Sequence, residues 1–169
     1  MQVKTTAILL LCCVLGQGQG HAKDLGAPMQ LELPDADGSR FVRLSDFAAR
    51  PLVLNFWRSD CPPCLQEMPL LQQAARRYTD AQFLGIAAQD PLAAHRFLIR
   101  QTPMAYPQLL APLETSGIMR RFGNAAGALP YTVVLDARHQ MCRTHVGAVD
   151  AAWLETALAV CAPSRQTAN

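Results

Sequence analysis

The sequence predicts a single α/β sandwich, and three observations carry that prediction. Two runs, 52–57 and 83–88, are apolar on nearly every consecutive position, as strands buried on both faces of a sheet require. Each is followed by a helical pattern, over 61–78 and 92–101. The chain then closes with a strand pair, 131–135 and 141–146, and a helix over 151–161 capped by Asp150. Strands alternating with helices, without an internal repeat or linker, give one layered α/β unit.

Taken in order, Leu31–Leu33 and Phe41–Leu44 flank the turn-rich segment 34–38, which predicts a hairpin within 28–44. Ser45-Asp46-Phe47 predicts a short capped helical turn ending near Arg50-Pro51. The helix opening at Cys61 carries Pro69 inside it, where a kink is expected. Residues 106–110 suit a short strand and 116–122 a short helix stopped by Gly123. The tail 163–169 is polar and expected to be loose.

At 169 residues, half of them hydrophobic, the chain can build a real core. A net charge of +2, with no basic run and no aromatic-basic interleaving, argues against a nucleic-acid partner. The N-terminus has the order of a secretory signal: Lys4, then an apolar run over 7–15, then small residues. This predicts a signal segment at 1–22, cleaved after Gly20 or Ala22, and a domain over 23–169. The rival readings are an uncleaved anchor and a lipid-modified cysteine. Cys12 follows Leu11 and Cys13 follows Cys12, whereas lipidation calls for a preceding small residue.

Cys61-Pro62-Pro63-Cys64 directly follows the first buried run. Two thiols three positions apart on the first turn of a helix can close a small disulfide ring and open it again. The helix terminus offers unpaired N–H groups and partial positive charge, which favour thiolate, the species that attacks disulfides. A structural disulfide or half a zinc site is the alternative, but no histidine or second CxxC is spaced to complete a zinc set.

The segment 55–69, Asn-Phe-Trp-Arg-Ser-Asp-Cys-Pro-Pro-Cys-Leu-Gln-Glu-Met-Pro, resembles the active-site segment of TlpA/ResA-like thioredoxin-fold proteins, exported bacterial thiol–disulfide oxidoreductases. The 28–47 segment resembles their N-terminal hairpin, and 89–122 their central insert. Residues 127–136 (Gly-Ala-Leu-Pro-Tyr-Thr-Val-Val-Leu-Asp) resemble their cis-proline strand. The resemblance implies a thioredoxin-like three-layer sandwich with an N-terminal β-hairpin and a central insert. It implies Cys61 as the attacking and Cys64 as the resolving thiol, without a cofactor or resident metal. Pro130 is then expected to be cis and to face the CxxC, so that the backbone at Leu129 pairs with an extended substrate. Trp57 and Pro62 join Leu129 and Pro130 as expected substrate contacts.

Acid–base support is less direct. Thioredoxin has a buried Asp six residues before its first cysteine, and Asn55 stands there instead. Asp90 matches an acid that family members place after the next strand; it either assists deprotonation of Cys64 or caps the following helix. Glu67, one turn past Cys64, is expected in a capping or core-edge ion pair, with catalysis as the other reading. Asp60 replaces the tryptophan that usually precedes the first cysteine. A carboxylate there opposes the helix dipole, disfavours the Cys61 thiolate and makes the couple more reducing, unless Asp60 points to solvent or caps the helix.

Cys142 begins the last strand and Cys161 ends the helix that returns beside it. Strand and helix span comparable lengths (about 3.3 Å × 5 against about 1.5 Å × 10), so the two can meet in a structural disulfide; two separately buried thiols are the alternative. His95, His139 and His145 read as a helix-face, a turn and a strand residue. The expectation is thus a monomeric, periplasmic or secreted reductase of protein disulfides, apocytochrome c being one candidate substrate, re-reduced by a membrane thiol carrier. A disulfide-forming oxidant and a Cu(I)-delivery protein are the alternatives. The Thr-x-x-Cys context of peroxiredoxins is absent, since Trp57-Arg58-Ser59-Asp60 precedes Cys61.

Overall fold

Six consecutive buried residues, Leu52–Trp57, form β3, the centre of a five-stranded sheet of order β5-β4-β3-β6-β7. The computed structural model describes residues 30–47, 50–101, 103–112 and 115–162. The expected signal segment and the tail 163–169 lie outside them. β4 (Gln82–Ala87) and β5 (Gln108–Leu110) run parallel to β3, while β6 (Tyr131–Leu135) is antiparallel to it and pairs with β7 (Met141–Val146). The predominantly apolar runs thus occupy the interior strands, and the mixed sequence of β7 occupies an edge. Alternation sorts the side chains of β3: Leu52, Leu54 and Phe56 enter one core, and Val53 enters the other.

The first core is closed by β1 (Glu32–Pro34), β2 (Phe41–Arg43), the 3₁₀ turn Leu44–Phe47 and α3 (Thr115–Arg121). The second is closed by α1 (Pro62–Arg77) and α4 (Ala151–Cys161), giving three layers. α2 (Pro91–Leu98) packs Ala94, Phe97 and Leu98 around Trp57 and Cys64. The segment between β4 and β6 therefore holds α2, β5 and α3, where the central insert is expected.

Local chemistry explains the boundaries. Asp90 and Asp150 cap α2 and α4 by accepting from Ala93 N and Trp153 N. Pro62 and Pro63 stand in the first turn of α1, where a missing N–H costs nothing. The helix runs unbroken through Pro69, which lies exposed. The N-terminal hairpin reaches the sheet through a bridge between Asp35 and Leu109 on β5. His95 Nδ1 bonds Ala36 O, and His139 Nε2 bonds Phe47 O, so two of the histidines fasten the N-terminal segment to the rest of the fold. His145 packs against Trp153, 5.0 Å between ring centroids.

Candidate active site

The parallel strands β3 and β4 deliver their C-terminal ends to one edge of the sheet, and Cys61 follows there as the N-cap of α1. Its backbone is extended (φ −112°, ψ 96°), and its Sγ accepts from Cys64 N at 3.3 Å. Cys61 and Cys64 are joined in a disulfide, with Cα atoms 5.3 Å apart. Cys61 is half-buried and Cys64 fully buried, so the two sulfurs differ in access as attack and resolution demand. Pro62 is exposed beside them.

Leu129 packs against the same cluster as Cys61, Cys64 and Met68, and the Leu129–Pro130 peptide is cis, as expected. Asn124 holds this loop by exchanging two hydrogen bonds with Ala128. Cys61, Cys64, Pro62, Leu129 and Pro130 are thus brought to one end of the molecule.

The expectation for Trp57 changes, and the geometry favours one of the readings left open for Asp90 and for Asp60. Trp57 is completely buried: it tilts against Phe97 at 5.5 Å and donates its indole N–H to Gln108 Oε1 at 2.9 Å. It supports the site from beneath and cannot touch a substrate. Asp90 is exposed and engaged as the α2 cap, so the capping role is the one its geometry supports. Asp60 faces solvent in a two-pronged ion pair with Arg58, both contacts 2.8 Å, which holds its carboxyl below the usual range. Its charge is balanced two residues away, and the opposition to the helix dipole largely disappears.

Two residues carry more than the sequence indicates. Among the described residues Glu67 has no ion-pair partner; it is buried, with Oε1 accepting from Asn55 Nδ2 at 2.7 Å and Oε2 from Val149 N at 2.8 Å. Burial pushes its carboxyl above the ordinary range, against the pull of those two donors. Lying three positions after Cys64, it shares that residue's helix face. Gln89 is 92% buried by its 8% exposure, and its Oε1 accepts from both Ser59 N (2.8 Å) and Ser59 Oγ (3.1 Å). A buried-strand pattern running into a helix cap gave no signal for it.

Cys142 and Cys161 form the second disulfide, Cα atoms 5.8 Å apart. It lies at the far end of the sheet, because Met141 pairs with Leu135 and Leu135 with Leu52, the start of β3. Among the described residues no group of three or more His, Cys, Asp or Glu side chains is arranged to hold a metal ion, and no helix is long and apolar enough to cross a membrane.

Comparison with known proteins agrees with this arrangement. Residues 25–144 match the AhpC/TSA family. The thiol-disulfide oxidoreductase ResA of Halalkalibacterium halodurans is 26% identical over 121 residues, covering 68% of this chain and 64% of that protein. ResA of Bacillus subtilis is 29% identical over 108 residues, covering 57% and 59%. The matches thus span less than two thirds of either relative's length. A secreted thiol-disulfide isomerase of Corynebacterium glutamicum superposes with a TM-score of 0.67 at 25% identity, covering 78% of this chain and 83% of that one. A DsbF homologue of Corynebacterium diphtheriae gives 0.65 at 25%, covering 76% and 82%. A family match running from before the hairpin into the last strand, on a TlpA/ResA-like thioredoxin fold, places this chain in the AhpC/TSA family.

Proposed function

We propose that this chain is an exported thiol–disulfide oxidoreductase that reduces protein disulfides. The observation that carries the reading is the CPPC pair at the tip of α1, Cys61 half-buried and Cys64 fully buried, with Leu129 packed in the same cluster. In the reduced protein the Cys61 thiolate attacks one sulfur of a partner's disulfide. A mixed disulfide forms and the partner's other sulfur leaves as thiolate, to take a proton. Cys64 then gives up its proton and attacks Cys61 Sγ, releasing the partner's second thiolate. The dithiol loses two electrons and the partner gains them. Glu67, buried with a raised pKa on the face of Cys64, is the group suited to accept the Cys64 proton. A thiol carrier at the membrane then restores the dithiol.

The reducing direction is supported by what surrounds Cys61. Arg58 would stabilise a thiolate and a strong oxidant's reduced form, but it is committed to Asp60. The helix terminus is left as the main stabilising influence. Pro62 and Leu129 are the substrate contacts in this reading, and apocytochrome c, named from the family resemblance, is one candidate substrate. Equilibration with glutathione tests the direction, and Cys64→Ser tests the chemistry. The dithiol is expected well below the roughly −120 mV of the strongest periplasmic oxidants. The Cys64→Ser protein is expected to accumulate a mixed disulfide on Cys61. A potential near the oxidant value would reverse the direction, and Cu(I) retention with no insulin reduction would replace the enzyme with a metal carrier.

A further inference from the structure

The turn that presents Cys61 is fixed from the neighbouring strand by one amide. Cys61 N closes the turn onto Arg58 O at 3.4 Å, and Ser59 sits inside it, half-buried. Gln89 follows the end of β4, where Ala88 N still reaches Trp57 O at 2.8 Å, so its backbone is held by the sheet ladder. Its Oε1 takes both the N–H and the hydroxyl of Ser59, while its Nε2 is buried without a hydrogen-bond partner among the described residues. A buried amide with a stranded nitrogen costs free energy that a residue of the same shape without polar atoms would not incur. The two bonds made by the oxygen are its compensation, and both end on the turn preceding Cys61.

We propose that Gln89 is a positioning residue for Cys61, locking the 58–61 turn so that the Cys61 sulfur is held against the Cys64 N–H, the donor that the first turn of α1 retains after Pro62 and Pro63. The link runs through geometry. An N-cap must stay extended while its side chain accepts from the helix, and Cys61 does both, accepting from Cys64 N. The field of a helix end falls off within one turn, so a small movement of the sulfur removes much of its stabilisation. Freeing Ser59 lets the turn and the cap relax together. The thiolate is then less favoured, and the reduced form loses stability relative to the disulfide.

This inference rests on the redox reading, yet its test needs no substrate. Gln89→Met keeps the volume and removes the acceptor; Ser59→Ala removes one of the two donors from a half-exposed site and leaves the core untouched. In a Cys64→Ser background, the ultraviolet absorbance of the Cys61 thiolate is titrated for both variants and for the pair. Gln89→Met is expected to raise the Cys61 pKa, cutting the thiolate fraction at neutral pH roughly threefold to tenfold. With both cysteines present, its glutathione equilibrium shifts the same way, towards a more reducing couple. Ser59→Ala gives a smaller shift, and the double variant gives less than the sum, because both act through one contact. Unchanged pKa and equilibrium in Gln89→Met, even with a lowered melting temperature, overturn the proposal, as do strictly additive shifts. A wild-type protein that reduces no disulfide sinks the proposed function and leaves these readings intact.

Discussion

Asn55 Nδ2 lies 2.7 Å from Glu67 Oε1 and 3.1 Å from Thr132 Oγ1, so one amide ties the central strand to α1 and to β6. At the position where thioredoxin keeps an acid, this chain keeps an amide, and the acid stands on the facing helix. Burial raises the Glu67 pKa above its unfolded value, so the folded state binds that proton more tightly. The stability this contributes is complete below the unfolded carboxyl range, about pH 4, and is lost as pH rises through the raised folded pKa. Glu67→Gln cannot ionise. Asn55 Oδ1, which has no partner among the described residues, can accept from the new amide after a side-chain flip. Denaturant unfolding followed upward from about pH 4 is expected to show wild type losing stability relative to Glu67→Gln; parallel curves would contradict the buried acid. The variant should also resolve mixed disulfides more slowly, by roughly 10²-fold.

The Arg58–Asp60 pair yields a prediction with two signs. Arg58→Ala leaves the Asp60 carboxylate uncompensated next to Cys61, which disfavours the thiolate and makes the couple more reducing. Asp60→Asn leaves the guanidinium uncompensated and shifts the couple towards oxidising. Both residues are exposed, so each effect shrinks as salt is added. Potentials moving in the same direction for the two variants would show that the pair does not act through charge.

How far the sequence reveals this molecule depends on the range of the physics involved. Leu52–Trp57 announces itself because a strand buried on both faces is apolar on nearly every position, Asn55 being the exception, and CPPC because its spacing is its chemistry. Trp57 is misread as a substrate contact for the same reason: nothing local separates an aromatic ring beneath a site from one beside it. Glu67 looks like a polar helix position until Val149, 82 residues away, supplies a backbone donor to it. Gln108 is equally silent, since its partner Trp57 is 51 residues distant and meets it only through the register of three strands.

The Cys142–Cys161 disulfide closes a loop of sequence separation 19 and staples α4 to the edge strand β7. Chain-entropy arguments give such a loop about 3 kcal/mol. The double variant Cys142→Ala/Cys161→Ala is expected to lose stability of that order while retaining disulfide reduction by Cys61 and Cys64, which sit at the opposite end of the sheet. Chemical denaturation and insulin reduction, measured on the same preparation, separate the two effects. Lost activity in a folded variant would mean that the second pair takes part in turnover.

Gly85 shows how the support beneath the cysteines depends on a missing methyl group. Gly85 on β4 lies between Asn55 on β3 and Gln108 on β5, and the Gln108 amide crosses directly over it. A Cβ at Gly85 would fall 1.9 Å from Gln108 Oε1, the atom that accepts from Trp57. Gly85→Ala must therefore push the amide aside, leave the buried indole N–H unpaired and disturb the ring packed around Cys64. Overpacking of this kind costs about 1–3 kcal/mol, and a stranded buried donor costs a similar amount. Gly85→Ala/Gln108→Ala removes the obstacle but still leaves Trp57 without its acceptor, so it should recover only the steric part. Tryptophan fluorescence and unfolding midpoints report the two contributions. A Gly85→Ala protein as stable as wild type, with unchanged Trp57 emission, would show that Gln108 is not the wall on which Trp57 rests.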